Sequence, residues 1–284
     1  MISLILAGGR RLEPAAPVVM GVLNVTPDSF SDGGRHHLLD DALCAADAML
    51  AAGATFIDVG GESTRPGAAP VSAEDELRRV LPVVRALIRR GALVSLDSSK
   101  PEVIRPCLEA GAHLVNDVRA LALPGALEAV AASDAAVCLM HMQGEPGSMQ
   151  RDPQYGDVVA EVGTFLAARV AACEVAGITR DRLLVDPGFG FGKTLAHNLA
   201  LLRGLPQVAA RAGGLPVLAG LSRKSMIGAL TGRPVDERLA GGLALAIAAV
   251  EGGARIIRTH DVAETVDALK VWSAFRDAGP AGEG

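Results

Sequence analysis

Eight short apolar runs, each trailed by a helical stretch, predict an α/β chain folded as a single-domain (β/α)8 TIM barrel. The runs are almost continuously apolar, as strands covered on both faces of a parallel sheet must be. The stretches between them are rich in Ala, Leu and Val, and many end in glycine, which readily takes the left-handed conformation that stops a helix. Nearly every run closes on polar residues, as strands do at the functional mouth of a barrel. With 284 residues, the chain has the size of one such domain.

The series opens with Val18–Asn24, which runs into a long polar loop, and continues with Asp40–Ala51 as a helix ended by Gly53. Thr55–Gly60 is the second strand, Ala73–Arg89 the next helix and Gly91 its end. Ala92–Asp97 follows, then Pro101–Ala110, whose first residue suits the first turn of a helix; Ser98 or Ser99 is the expected cap. His113–Asp117 and Ala136–His141 come next. Gln143–Tyr155, with Pro146, Gly147 and Pro153, reads as an insertion over one barrel mouth. Val158–Ala176 is a long helix, and Leu183–Asp186, Pro216–Leu221 and Ala254–Thr259 complete the strands. Asp261 with Glu264 has the spacing of a capping pair before the helix Glu264–Ala274. No linker divides residues 1–276, and the tail 277–284 is expected to be disordered. A doubly wound open sheet would share this local pattern, because closure is not a local property.

Composition excludes several classes. A net charge of −5 without a Lys/Arg stripe argues against nucleic acid. The longest apolar run, Leu239–Val250, is interrupted by Gly241 and Gly242 and is too short to span a bilayer. No charged-then-apolar leader opens the chain, so a cytoplasmic protein is expected. Cys44, Cys107, Cys138 and Cys173 are dispersed and are expected to be buried, reduced thiols.

The strand ends carry the chemistry. They are Asn24; Gly61-Glu62-Ser63-Thr64-Arg65; Asp97; Asn116-Asp117; Met140-His141; Asp186; Ser222-Arg223-Lys224; and Arg258 with His260. Helix capping alone does not require eight such ends. Gly188–Thr194 invites a nucleotide-loop reading, but Pro187 stands where a Walker loop needs its first glycine.

Five motifs now carry a resemblance. Asn24-Val-Thr-Pro-Asp-Ser-Phe-Ser-Asp-Gly-Gly34, Gly61-Glu-Ser-Thr-Arg-Pro-Gly67, Asp186-Pro-Gly-Phe-Gly-Phe-Gly-Lys193, Ser222-Arg-Lys-Ser225 and Arg258-Thr-His-Asp261 resemble those of the dihydropteroate synthase family. The likeness runs in order from about Val18 to Trp272. Ser98, where the family often has Thr, and Leu221, where Met is frequent, depart from it. The resemblance implies a homodimeric barrel of folate biosynthesis that is a target of sulfonamides. Such enzymes join 6-hydroxymethyl-7,8-dihydropterin pyrophosphate to p-aminobenzoate with Mg2+ and release pyrophosphate.

The residue chemistry agrees. A pterin presents a guanidine-like edge, and Asp97, Asn116 and Asp186 offer in-plane acceptors for it, with Lys224 donating to the ring carbonyl side. Met140 is a candidate apolar wall, and His141 is read as structural. Arg258 and His260, two apart at a strand end, point the same way and are assigned to the pyrophosphate; Arg258 is also a candidate to stack on the pterin. Asn24 offers a carboxamide oxygen to Mg2+, whose shell commonly includes phosphates and water. Ser222, read as the cap of the following helix, takes the p-aminobenzoate carboxylate, with Phe191 and Pro66 flanking the ring. The resemblance implies that the loops carrying Asp32, Thr64 and Arg65 close over substrate, with Arg65 reaching the leaving group and Asp32 ordering the closed site. A methyltransferase using methyltetrahydrofolate would share the pterin acceptors but would have no use for the cations. A non-catalytic pterin-binding paralogue would be expected to lose them.

Overall fold

The computed structural model describes residues 3–26, 35–63, 70–145 and 147–278. Asp32, Thr64, Arg65, Pro66 and the tail beyond Ala278 lie outside them.

An antiparallel hairpin comes first: β1 (Leu4–Leu6) pairs with β2 (Arg10–Leu12). The sequence reading missed it, because three-residue strands carry too little periodicity to register. Then follow β3 (Val18–Asn24), α1 (Arg35–Ala51), β4 (Phe56–Gly60), α2 (Ala73–Arg89), β5 (Leu93–Asp97), α3 (Pro101–Glu109), β6 (Leu114–Asp117) and α4 (Ala126–Ala131). The second half comprises β7 (Ala136–Met140), α5 (Val158–Val175), β8 (Leu183–Asp186), α6 (Leu195–Arg203), α7 (Leu205–Arg211), β9 (Val217–Gly220), α8 (Ser225–Thr231), α9 (Leu239–Glu251), β10 (Ala254–Thr259) and α10 (Val262–Asp277). Among the described residues, β3 to β10 pair in sequence order, and β10 returns to β3 to close the barrel. This closure decides against the open sheet. Asp277 is helical, so the last helix runs into the expected tail.

Alternation along the strands sorts the residues into two cores. Outward-facing Val19, Leu23, Ile57, Val59, Val94, Leu96, Val115 and Val137 pack with the helices. Inward-facing residues form an apolar floor of Met20, Phe56, Leu93, Leu114, Ala136, Leu184, Leu218 and Ile256, which the wholly buried Leu4 and Leu6 of the hairpin plug from below. Two residues along, the same inward row turns polar on most strands, at Asp58, Ser95, Asn116, Asp186 and Arg258, and on β3 it does so at Asn24. The register sets Asn24, Gly60, Asp97 and Asn116 side by side across β3 to β6. One barrel therefore has a greasy floor and a polar mouth.

Three expected caps are not caps. Lys100, not Ser98 or Ser99, is the N-cap residue of α3; Ser99 Oγ donates instead to the Asp117 carboxylate. Asp261 sits at the N-cap of α10, but its side chain makes no capping bond and takes Arg223 and Ser222. The seven-residue α8 begins only at Ser225, so Ser222 does not cap it. Ser99 and Asp261 turn to side chains from other strand ends, Asp117 and Arg223, while Ser98 accepts from the Lys100 amide at 3.3 Å. Ser72, Asp157 and Thr194 do cap their helices. Cys107, Cys138 and Cys173 are buried thiols, whereas Cys44 is exposed. No described helix is long and apolar enough to cross a membrane.

Candidate active site

Asp58, in the middle of β4, is wholly buried and organises the base of the mouth. Its Oδ1 accepts from Ser95 Oγ at 2.5 Å, and its Oδ2 accepts from Asn116 Nδ2 at 3.1 Å and Arg258 Nε at 2.6 Å. Arg258 Nη2 donates to Asp97 Oδ2 at 2.6 Å. One guanidinium thus ties β10 to β4 and β5 across the barrel. Arg258 was expected to serve a diphosphate and stack on a ring. Its Nε and Nη2 are committed to carboxylates, which fixes the plane of the group and leaves Nη1 outside these pairs.

Asp186 ends β8, and its Oδ1 accepts from the Gly188 amide at 2.7 Å. Burial pushes its carboxyl up to about 6, the Gly188 N–H and Lys224 only partly offsetting this. Burial likewise pushes Asp97 up to about 7 against the pull of Arg258. Lys224 is brought down to about 8 by burial, with Asp186 opposing the shift, and its ammonium lies 4.2 Å from the centre of the Phe191 ring. Asn116, Met140, Asp186, Phe191, Lys224 and Arg258 line one narrow slot together with Asp97. Of the Asn116-Asp117 pair, only Asn116 enters it; Asp117 faces the turn that follows and accepts from the Arg119 and Leu121 amides.

The slot opens into a cavity of about 330 Å³. Asn24, Phe191, Ser222, Lys224, Arg258 and His260 line this cavity, so the structure brings all the described candidates to one mouth. Ser222 Oγ lies 3.1 Å from His260 Nδ1 and accepts from the His260 amide at 3.2 Å. Arg223, from the strand end that carries Ser222 and Lys224, and Arg238, which the sequence did not single out, add positive charge to the rim. A rim this cationic above acidic acceptors suits a ligand with a donor-rich ring and an anionic tail. Among the described residues, no group of three His, Cys, Asp or Glu could hold a metal. Asn24 shares the cavity with Arg258 and His260, and its carboxamide oxygen is the kind of donor a hard cation takes.

The insertion 143–155 lies where it was expected, over the mouth. Tyr155 Oη donates to the Gly192 carbonyl at 2.9 Å, and Gln150 Nε2 donates to the Gly190 carbonyl. Asp58 also escaped the sequence reading. Its signal was an acid inside an apolar run, at the same parity as Gly60.

The family model described as pterin binding enzyme matches residues 20–260. Dihydropteroate synthase of Escherichia coli K12 is 56% identical over 273 residues, covering 96% of both chains. The chain belongs to the dihydropteroate synthase family. Among solved members, the Yersinia pestis dihydropteroate synthase in a sulfonamide drug complex superposes with a TM-score of 0.91 at 52% identity, covering 97% of this chain and 99% of that one. The Burkholderia cenocepacia dihydropteroate synthase complexed with 7,8-dihydropteroate gives 0.89 at 50% identity, over 98% and 97%.

Proposed function

We propose that this chain is a transferase of folate biosynthesis that condenses 6-hydroxymethyl-7,8-dihydropterin pyrophosphate with p-aminobenzoate, giving 7,8-dihydropteroate and pyrophosphate. The observation that carries the reading is the slot itself: Asp186, Asp97 and Asn116 face Lys224 below a rim holding Arg223, Arg238, Arg258 and His260. Asp186 takes the N–H edge of the pterin, with Asp97 and Asn116 beside it. Lys224, largely protonated at pH 7, donates to the carbonyl side of the ring. Met140 walls the slot, and Arg258, oriented by Asp58 and Asp97, presents its remaining edge to the diphosphate alongside His260.

The bond between the pterin methylene and the diphosphate oxygen breaks with its electron pair leaving on the diphosphate. The aniline nitrogen lone pair then forms the new C–N bond, and its surplus proton passes to the released pyrophosphate. Positioning and fixed charge supply the rate, with no covalent enzyme intermediate. Asn24 would hold Mg2+ through its carboxamide oxygen, and the ion would supply positive charge to the departing diphosphate. Ser222 and the rim beside it receive the p-aminobenzoate carboxylate, with Phe191 against its ring. Thr64, Arg65 and Asp32 are assigned to the loops that close over the bound pair and exclude water. The enzyme acts as a cytoplasmic homodimer. The rim cations favour this over methyl transfer from a folate, which has no anionic leaving group to hold.

The test is direct. The purified chain with both substrates and Mg2+ should form dihydropteroate, and a sulfonamide should inhibit in competition with p-aminobenzoate. Absence of product, or inhibition independent of p-aminobenzoate concentration, would overturn the reading.

A further inference from the structure

Lys193 is 3% exposed, and no carboxylate pairs with it among the described residues. Its ammonium makes three close contacts, one for each N–H it can donate: the Gly188 carbonyl at 2.9 Å, the Phe191 carbonyl at 3.0 Å and His141 Nδ1 at 3.0 Å. The first two belong to the loop after β8, and the third to the end of the neighbouring strand β7. Burial pushes the lysine down to about 7 and His141 down to about 3, so the imidazole stays a neutral acceptor. An uncompensated ammonium is costly to bury. An apolar residue could fill that space, but it could not fasten two carbonyls of one loop to a neighbouring strand.

The fastened loop lines the slot and the cavity at Gly188, Phe189, Gly190 and Phe191. Its near end is held independently, because Gly188 N donates to Asp186 and the Gly188 Cα lies hard against the His141 carbonyl. Its far end bears Phe191, whose ring lies under the Lys224 ammonium and lines the cavity. Asn198 steadies the middle by accepting from Gly190 N at 2.7 Å. Phe191 is held at both ends of its backbone, its amide donating to the Gly188 carbonyl at 3.1 Å and its carbonyl accepting from Lys193.

We propose that Lys193, braced by His141, is a positioning residue for the second substrate, holding Phe191 where the p-aminobenzoate ring packs. The proposal rests on the placement of p-aminobenzoate against Phe191 given above. It predicts a selective defect. Asp97 and Asn116 stand on strand ends away from this tether, and Asp186 keeps the Gly188 amide at the end of the loop that is held independently, so the aromatic amine should weaken far more than the pterin.

Lys193→Met, of similar length and without donors, should raise the KM for p-aminobenzoate about tenfold, the size of one lost charge-assisted hydrogen bond. Its kcat and its calorimetric affinity for a pterin analogue should stay within about threefold of the parent, a difference of less than 1 kcal/mol. Lys193→Arg, which keeps the donors, should recover part of the KM. A lysine that only supports the fold would lower the active fraction, cutting kcat with both KM values intact, and that result would overturn the proposal. If Lys193→Met does not fold, His141→Leu removes one acceptor and must show the same selective rise; equal changes for both substrates would refute it. The parent enzyme is the control: if it forms no dihydropteroate, the functional reading fails and this proposal with it. A parent that is active beside a variant with unchanged KM rejects this proposal alone.

Discussion

Asp58 accepts three hydrogen bonds where water does not reach, and it touches neither the floor nor the rim of the cavity. Its work is to aim Arg258 and Asn116. Asp58→Asn keeps the shape but removes the charge that holds the guanidinium, which leaves Asp97 as its remaining anion. Hydrogen bonds to charged groups contribute about 1.5–3 kcal/mol, and urea denaturation should show a loss of that order. At Asp186 the same burial acts on function. In the proposed function the carboxylate form accepts the pterin N–H groups, and burial places its protonation near pH 6. Below that pH the unliganded site holds a proton that must leave on binding. Affinity for a pterin analogue should therefore fall as pH drops from 7.5 to 5, approaching roughly tenfold per unit once Asp186 is protonated. Calorimetry across that range checks it. Asp97, pushed up to about 7, titrates first and should begin the decline. An affinity that rose on acidification would contradict the assignment.

At the scale of the element, each strand is a short apolar run whose inward parity changes character midway. The loop after β8 is specified just as tightly. Gly188 has φ +71°, and a Cβ there would lie 1.8 Å from the His141 carbonyl oxygen. Gly232, past α8, has φ +72° but nothing within 4 Å of such a Cβ. Alanine at either position meets the left-handed penalty of about 1–2 kcal/mol. Only at 188 is there also a backbone clash, for which overpacking adds about 1–3 kcal/mol or more. Paired thermal melts of Gly188→Ala and Gly232→Ala should separate the two contributions, and equal losses would show that the close approach costs nothing. The hairpin makes a similar case. Leu6→Ala empties a wholly buried position under the barrel floor and should cost about 2–5 kcal/mol in denaturant unfolding.

The whole molecule sets charge against charge. The chain is acidic overall, at −5, yet its mouth gathers Arg223, Lys224, Arg238, Arg258 and His260 in one rim. Barrel closure does this, because Arg258 meets Asp58 across 200 residues of chain. A ligand in that mouth touches strands from both halves, so it should stabilise the barrel as one body. Calorimetric unfolding should show one transition. A pterin analogue at a hundred times its Kd should add about 2.7 kcal/mol to the unfolding free energy and shift that transition without splitting it. Two separable transitions would contradict a single domain.

Strand runs such as Val18–Asn24 and Leu183–Asp186, the helix Ala73–Arg89 and the polar strand ends follow from the sequence by itself, because each is a matter of local periodicity and composition. So does the family, since its motifs are contiguous. Tertiary structure alone decided closure over an open sheet, the burial of Asp58, the commitment of Arg258 to two carboxylates, and the placing of Ser99, Ser222 and Asp261 on partners outside their helices. Each of these rests on a contact between residues distant in the chain. A polar side chain near a helix start can satisfy either its own backbone or a neighbour from another strand. Only the assembled barrel brings that neighbour within reach and determines which bond forms.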